Sequence, residues 1–183
     1  MTHERDEWLM LHAALGDQRC LEPLVRRYAS PLLTFIRRMI GDEHRSEELF
    51  QDVFVAVWTR RKQYEFPRPF RAWLYAIAVN VCRAEFRRRR GVGVLLDDTR
   101  LAMVPAAVDP PGAPVVTTER AALVMAALAE LPAQERVIVS LRTWSGLSYA
   151  EIADVLARAE VTVRVHMHNA LARLREYLEP RLR

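Results

Sequence analysis

Apolar residues recur at helical spacing through most of this chain, and that period restricts the fold to helices packed on helices. Leu21, Leu24, Val25 and Tyr28 stand at i, i+3, i+4 and i+7. Ser30-Pro31 punctuates the stripe, Leu32, Phe35, Ile36, Met39 and Ile40 continue it, and Gly41 reads as its left-handed stop. In "EHRSEELFQDVFVAVWTRRKQY", Leu49, Val53 and Val57 share a face, with Phe50, Phe54 and Trp58 beside it. Glu47, Glu48, Gln51 and Asp52 project from the other side. "EFPRPF" reads as a loop, because two prolines two apart do not fit a helix interior. A further helix runs through "WLYAIAVNVCRAEFRRRR". No strand pattern of useful length occurs, so the expected class is all-α.

The period fails once. Residues 91–117 are rich in Gly and Pro without a repeat and read as a linker. The expected organisation is therefore two small helical domains, 1–90 and 118–183, joined by 91–117. In the second, Thr118 reads as an N-cap, Pro132 opens a helix, and Ser148 with Glu151 fits a capping box. A short helix, "SYAEIADVLA", then a longer one from near Val161, has helix–turn–helix spacing.

Charge narrows the partners. The formal net charge is +4, compatible with a polyanion, and Arg87 to Arg90 supply much of the excess. The start, "MTHERDEWLM", is not read as a signal peptide. "WLYAIAVNVC" is too short for the roughly 18 apolar residues of a span, so no membrane insertion is expected. Cys20 and Cys82 lack metal-ligand spacing, which suits a reduced, cytoplasmic setting. His166 and His168 stand at i and i+2, on different sides of a helix, so neither metal nor cofactor is implied. No phosphate loop or catalytic constellation is evident, and no enzyme is expected.

Three constellations remain. On the helix after "EFPRPF", Leu74, Ile77, Ala78 and Val81 fall together to pack. Asn80, Arg83, Ala84, Arg87 and Arg88 fall on another side. Amide and guanidinium groups so placed suit a phosphate backbone and base edges, and Tyr64, Phe66, Phe70, Trp73 and Tyr75 could stack unpaired bases. A core helix with a solvated basic end is the plainer alternative. The acidic patch Glu47, Glu48, Gln51, Asp52 reads either as a solvated face or as a docking surface for a basic partner. Thr162, Arg164, His166, His168 and Asn169 fall on the outer side of the last helix, while Val163, Met167, Ala170 and Leu174 pack. An ordinary helical hairpin would look the same.

Taken in order, these pieces resemble the sigma-70 family of initiation factors, in its compact extracytoplasmic-function (ECF) group. "SEELFQDVFVAVWTRRKQYEFPRPFRAWLYAIAVNVCRAEFRRRR" is similar to region 2, and "LPAQERVIVSLRTWSGLSYAEIADVL" to the start of region 4. The resemblance implies that Glu47, Glu48, Gln51 and Asp52 dock on core RNA polymerase, a partner contacted through its β and β′ subunits. It implies that Tyr64, Phe66, Phe70, Trp73, Asn80, Arg83 and Arg87 recognise and open the −10 promoter element. It implies that Thr162, Arg164, His166 and Asn169 read the −35 element, and that an anti-sigma factor masks these surfaces. The turn Ala157–Glu160 departs from the family pattern, with Arg158 where an apolar residue is usual. Fewer basic residues follow it, which implies weaker salt-dependent binding. A helix–turn–helix regulator working without polymerase, or a sigma-like adaptor lacking ordinary −35 recognition, are the rival readings.

Overall fold

The computed structural model describes residues 3–89 and 115–182. Its helices are α1 (His3–Ala14), α2 (Leu21–Ile40), α3 (Glu43–Thr59), α4 (Phe70–Arg89), α5 (Val115–Glu130), α6 (Ala133–Thr143), α7 (Tyr149–Leu156) and α8 (Glu160–Leu178). There is no strand among the described residues. Helices α1–α4 make one body and α5–α8 a second. The segment 91–117 lies outside the described residues as far as 114.

The stripe on α2 buries Leu24, Tyr28, Leu32, Phe35, Ile36, Met39 and Ile40. Pro31 does not interrupt this helix, contrary to the punctuation expected of Ser30-Pro31. A helix-interior proline costs about 3 kcal/mol, but Pro31 lies on the exposed side, and continuous burial on both sides of it outweighs that cost. Gly41 closes the helix at φ 73°, returning its N–H to the Arg37 carbonyl. Asp42 then opens α3 by accepting from the Arg45 N–H at 2.9 Å.

Helix α1 was not apparent from apolar spacing, because two of its inward residues are acids. Asp6 and Glu7 are 2% and 6% exposed. Asp6 accepts from the Tyr28 hydroxyl at 2.8 Å and pairs with Arg27. Glu7 accepts from the Phe70 backbone N–H at 2.9 Å. A helix's first N–H groups have no partner inside the helix, so this carboxylate caps α4 from a distant part of the chain and complements the helix dipole there.

In the second body α5 begins at Val115, so Thr118 falls inside its first turn rather than before it. Arg136 of α6 is fully buried and donates to the carbonyls of Leu128 (2.8 Å), Ala129 (2.6 Å) and Leu131 (3.0 Å). Leu128 and Ala129 lie in the last turn of α5, where carbonyls run short of helical donors, and Leu131 follows it; burial pulls the Arg136 pKa down to about 10. Pro132 sits just before α6. The Ser148–Glu151 capping box forms in both directions.

Helix α7 ends at Ala157 in the left-handed region, φ 52° and ψ 49°. The Arg158 N–H reaches back to Ala153 and the Ala157 N–H to Asp154, the pairing of a Schellman cap. That position ordinarily takes glycine, and an L-residue there costs about 1–2 kcal/mol. Ala157→Gly relieves this while adding unfolded-chain entropy. The expected net gain is about 0.5–1 kcal/mol, read as a higher urea midpoint for the full chain; a lower midpoint would contradict strain at the turn.

Candidate nucleic-acid interface

Helix α4 carries the basic run, and the structure divides it. Glu85 is 2% exposed and accepts from Arg88 (2.9 Å), Arg45 (2.9 Å) and Arg89 (2.8 Å). Bonds from Arg88 first, with Arg45 and Arg89, outweigh burial and hold its pKa far below the ordinary 4.5. Arg89 also donates to the Ile40 carbonyl. Arg45 thus ties α3 to α4 through Glu85 and Arg89 ties α4 to α2, while Arg88 bonds within α4. Arg87 is exposed and has no side-chain partner among the described residues; Arg90 lies outside them. Asn80 is exposed, Arg83 half-buried, and Val81 packs partly, as its spacing suggested.

The aromatic candidates separate. Tyr75 is 1% exposed and packs edge-on with Phe35; Tyr64, Phe70 and Trp73 are 7%, 0% and 8% exposed. The last three form a core cluster, with Tyr64 5.4 Å and Phe70 6.2 Å from Trp73 between ring centroids. Their faces are occupied by one another and by Tyr28, so in this conformation they support the loop rather than offer rings to solvent. Phe66 is the exposed member, beside Trp8. Sequence reading passed over Trp8. Its one local signal was His12 four residues on, which stacks with it.

On α3, Glu47, Glu48, Gln51 and Asp52 are all exposed. Glu47 is bound by Arg37, and Glu48 by Arg45 with His44 nearby. Gln51 and Asp52 have no side-chain partner among the described residues. Val55, 65% exposed, continues the stripe at i+7 from Glu48 and was missed, being hidden in the apolar run "VFVAV".

On α8, Val163, Met167 and Ala170 are buried and Leu174 packs partly. Arg164 and Asn169 are exposed, while Thr162 and His166 are half-buried. Arg164 is tied to Glu160 and lies 4.5 Å from the Tyr149 ring. Val161 and Val165 stand out on the same helix, 72% and 53% exposed.

The two bodies meet. Helix α7 packs on α4, and α6 on α2. Arg71 donates to both oxygens of Glu151, at 2.8 and 3.0 Å. The Arg38 guanidinium lies 4.1 Å from the Trp144 ring. Burial raises the Glu151 pKa, but bonds from Arg71 and Ser148 outweigh it and leave the group lowered. Arg83 meets the opposite condition: burial first, then the charges of Arg158 and Arg87, lower its pKa. The unusual Arg158 of the turn therefore brings a like charge to the seam.

Comparison with known proteins follows this division. Residues 24–92 match the family model Sigma-70 region 2, and residues 121–174 match Sigma-70, region 4. The chain is 32% identical over 182 residues to RNA polymerase sigma factor CnrH of Cupriavidus metallidurans, covering 96% of this chain and 95% of the relative. It is 32% identical over 168 residues to ECF RNA polymerase sigma factor SigE of Mycolicibacterium smegmatis, covering 90% of this chain and 65% of that one. A solved structure of CnrH in complex with the cytosolic domain of CnrY superposes with TM-score 0.74 and 27% identity, over 97% of this chain and 99% of that chain.

Two outcomes follow from these contacts. Glu85 has a depressed folded-state pKa, so its stabilisation is fully present above about pH 4.5 and is lost progressively as pH falls from there through the depressed folded-state value. Glu85→Gln should lower the urea midpoint at pH 7, with the gap from wild type narrowing by pH 3; a constant gap would exclude the charge. Glu151→Gln keeps a capping side chain but loses the ion pair with Arg71. Energy transfer between dyes on α3 and α8 should fall, and unchanged transfer would mean that apolar contacts alone hold the seam.

Proposed function

Because this chain belongs to the sigma-70 family, in its extracytoplasmic-function group, we propose that its two bodies divide the work of a sigma factor between them. The chain binds core RNA polymerase and directs promoter recognition, promoter opening and transcription initiation. Domain 1–90 docks and opens the −10 element, 91–117 links, and 118–183 meets the −35 element. Glu47, Glu48, Gln51 and Asp52 face the polymerase, with Val55 as an apolar centre. Phe66, Asn80, Arg83 and Arg87 meet the −10 strand, while Tyr64, Phe70 and Trp73 hold that surface from beneath. Bond making is left to the polymerase, so the chain itself is no enzyme, and it works in the cytoplasm. An anti-sigma factor is its proposed regulator, by likeness to CnrH, whose structure is a complex with CnrY.

The observation that carries the docking role is the state of α3. Its outer acids Glu47 and Glu48 are bound within the chain, whereas Gln51, Asp52 and Val55 lie exposed and unengaged among the described residues. A polar stripe with an apolar centre and free acceptors suits a basic partner. A second reading, an adaptor with reduced −35 recognition, draws on Arg164, which Glu160 neutralises, and on the exposed Val161 and Val165.

Asp52→Arg reverses an exposed charge without touching the core, so the fold should survive. Its affinity for core RNA polymerase, read by co-migration on a sizing column and by titration, should fall about tenfold or more. Wild-type affinity in the variant would remove α3 from the docking surface.

A further inference from the structure

We propose that Trp8 is a second base-stacking ring, which extends the surface begun by Phe66 and receives an unpaired nucleobase of the non-template promoter strand. This rests on the promoter-opening role above. Trp8 is 54% exposed and Phe66 43%. Aromatic side chains of that size are ordinarily well covered, so two exposed side by side form a surface without its partner. Their ring centroids lie 5.5 Å apart with planes tilted by 59°, an open angle rather than a filled stack. His12 backs Trp8 at 6.0 Å and 28°.

The surroundings say what covers this surface. Arg60, Lys62 and Arg68 of the adjoining loop are exposed, with no side-chain partner among the described residues. Arg61 is occupied by Trp58, over whose ring it lies. Glu65 is the loop's lone acid. Three cations against one acid make the loop that carries Phe66 a cationic rim, and its short helix Arg61–Gln63 packs on α1; rings beside such a loop match a single strand, whose bases stack while its phosphates meet the charges. The rim is opposite in sign to the α3 face, which separates it from the polymerase contact.

Trp8 is also held in position. Asp6 and Glu7 directly precede it, and their buried bonds to Tyr28, Arg27 and the Phe70 N–H fix α1 against both ends of the loop's support. A ring presented from a fixed helix loses little freedom on binding.

The test uses holoenzyme assembled from the full chain and core RNA polymerase. Its probe is a single-stranded oligonucleotide selected from a random pool by the wild-type holoenzyme, then remade with an abasic residue at each position in turn. Trp8→Ala should bind the intact strand about 5- to 100-fold more weakly, with core affinity unchanged. One abasic position should weaken wild type by a similar factor and have no further effect on Trp8→Ala. Trp8→Phe should recover most of the binding. Equal strand affinity in wild type and Trp8→Ala, or a loss additive with every abasic position, would overturn the proposal. Reduced core affinity with strand affinity intact would overturn it in favour of a protein contact. A wild-type holoenzyme that retains no strand, with core binding normal, would overturn the promoter-opening role and this proposal together.

Discussion

The arrangement of the whole chain turns on one carboxylate. Glu151 accepts from the Ser148 N–H, starting α7, and both its oxygens accept from one guanidinium nitrogen of Arg71 on α4. The same group therefore begins a helix of the second body and seats it on the first. Arg71 and Glu151 are about one-fifth exposed, where desolvation offsets much of the Coulomb gain. The pair accordingly selects a register for the seam more than it stabilises it. Arg38 over Trp144 adds a second, partly buried anchor. Against these stands Arg83, brought near Arg158, a like-charge approach that opposes closure.

A comparable balance governs the basic run. Counted along the chain, Arg87 to Arg90 look like one polyanion-binding block. In space Glu85 binds Arg88 and Arg89, which stay exposed but paired, and leaves Arg87 outward without a side-chain partner among the described residues. The spacing was available: Glu85 stands at i−3 and i−4 to those arginines. What spacing did not reveal was the third donor, Arg45, forty residues earlier, whose approach depends on α3 packing beside α4. A bound arginine is structural; a free one can meet phosphate.

That distinction explains which parts of the chain were legible. The stripes of α2, α3 and α8 were readable because each buries one face against near neighbours, and Gly41, Ser148 and Glu151 marked helix ends by local chemistry. Helix α1 was not, since its inward face includes Asp6 and Glu7, whose partners lie 22 and 63 residues away. The burial of Tyr64, Phe70 and Trp73 escaped for a related reason. A Pro-rich loop suggests exposure, yet here its aromatic ends fold back onto Tyr28 and each other. Likewise, α4 is buried on more sides than one amphipathic face predicts, because α7 covers what the first body leaves open.

The closed seam bears directly on how such a chain would meet a promoter. Elements at −10 and −35 lie about 25 base pairs apart, roughly 85 Å at 3.4 Å per pair. A compact chain of this length has a radius of gyration near 16 Å. For α4 and α8 to engage both elements at once, the two bodies must separate, breaking the Arg71–Glu151 and Arg38–Trp144 contacts. Separation also removes the Arg158 charge from the neighbourhood of Arg83. The α3 face is exposed with the seam closed, so the polymerase docking proposed for it does not require the seam to part.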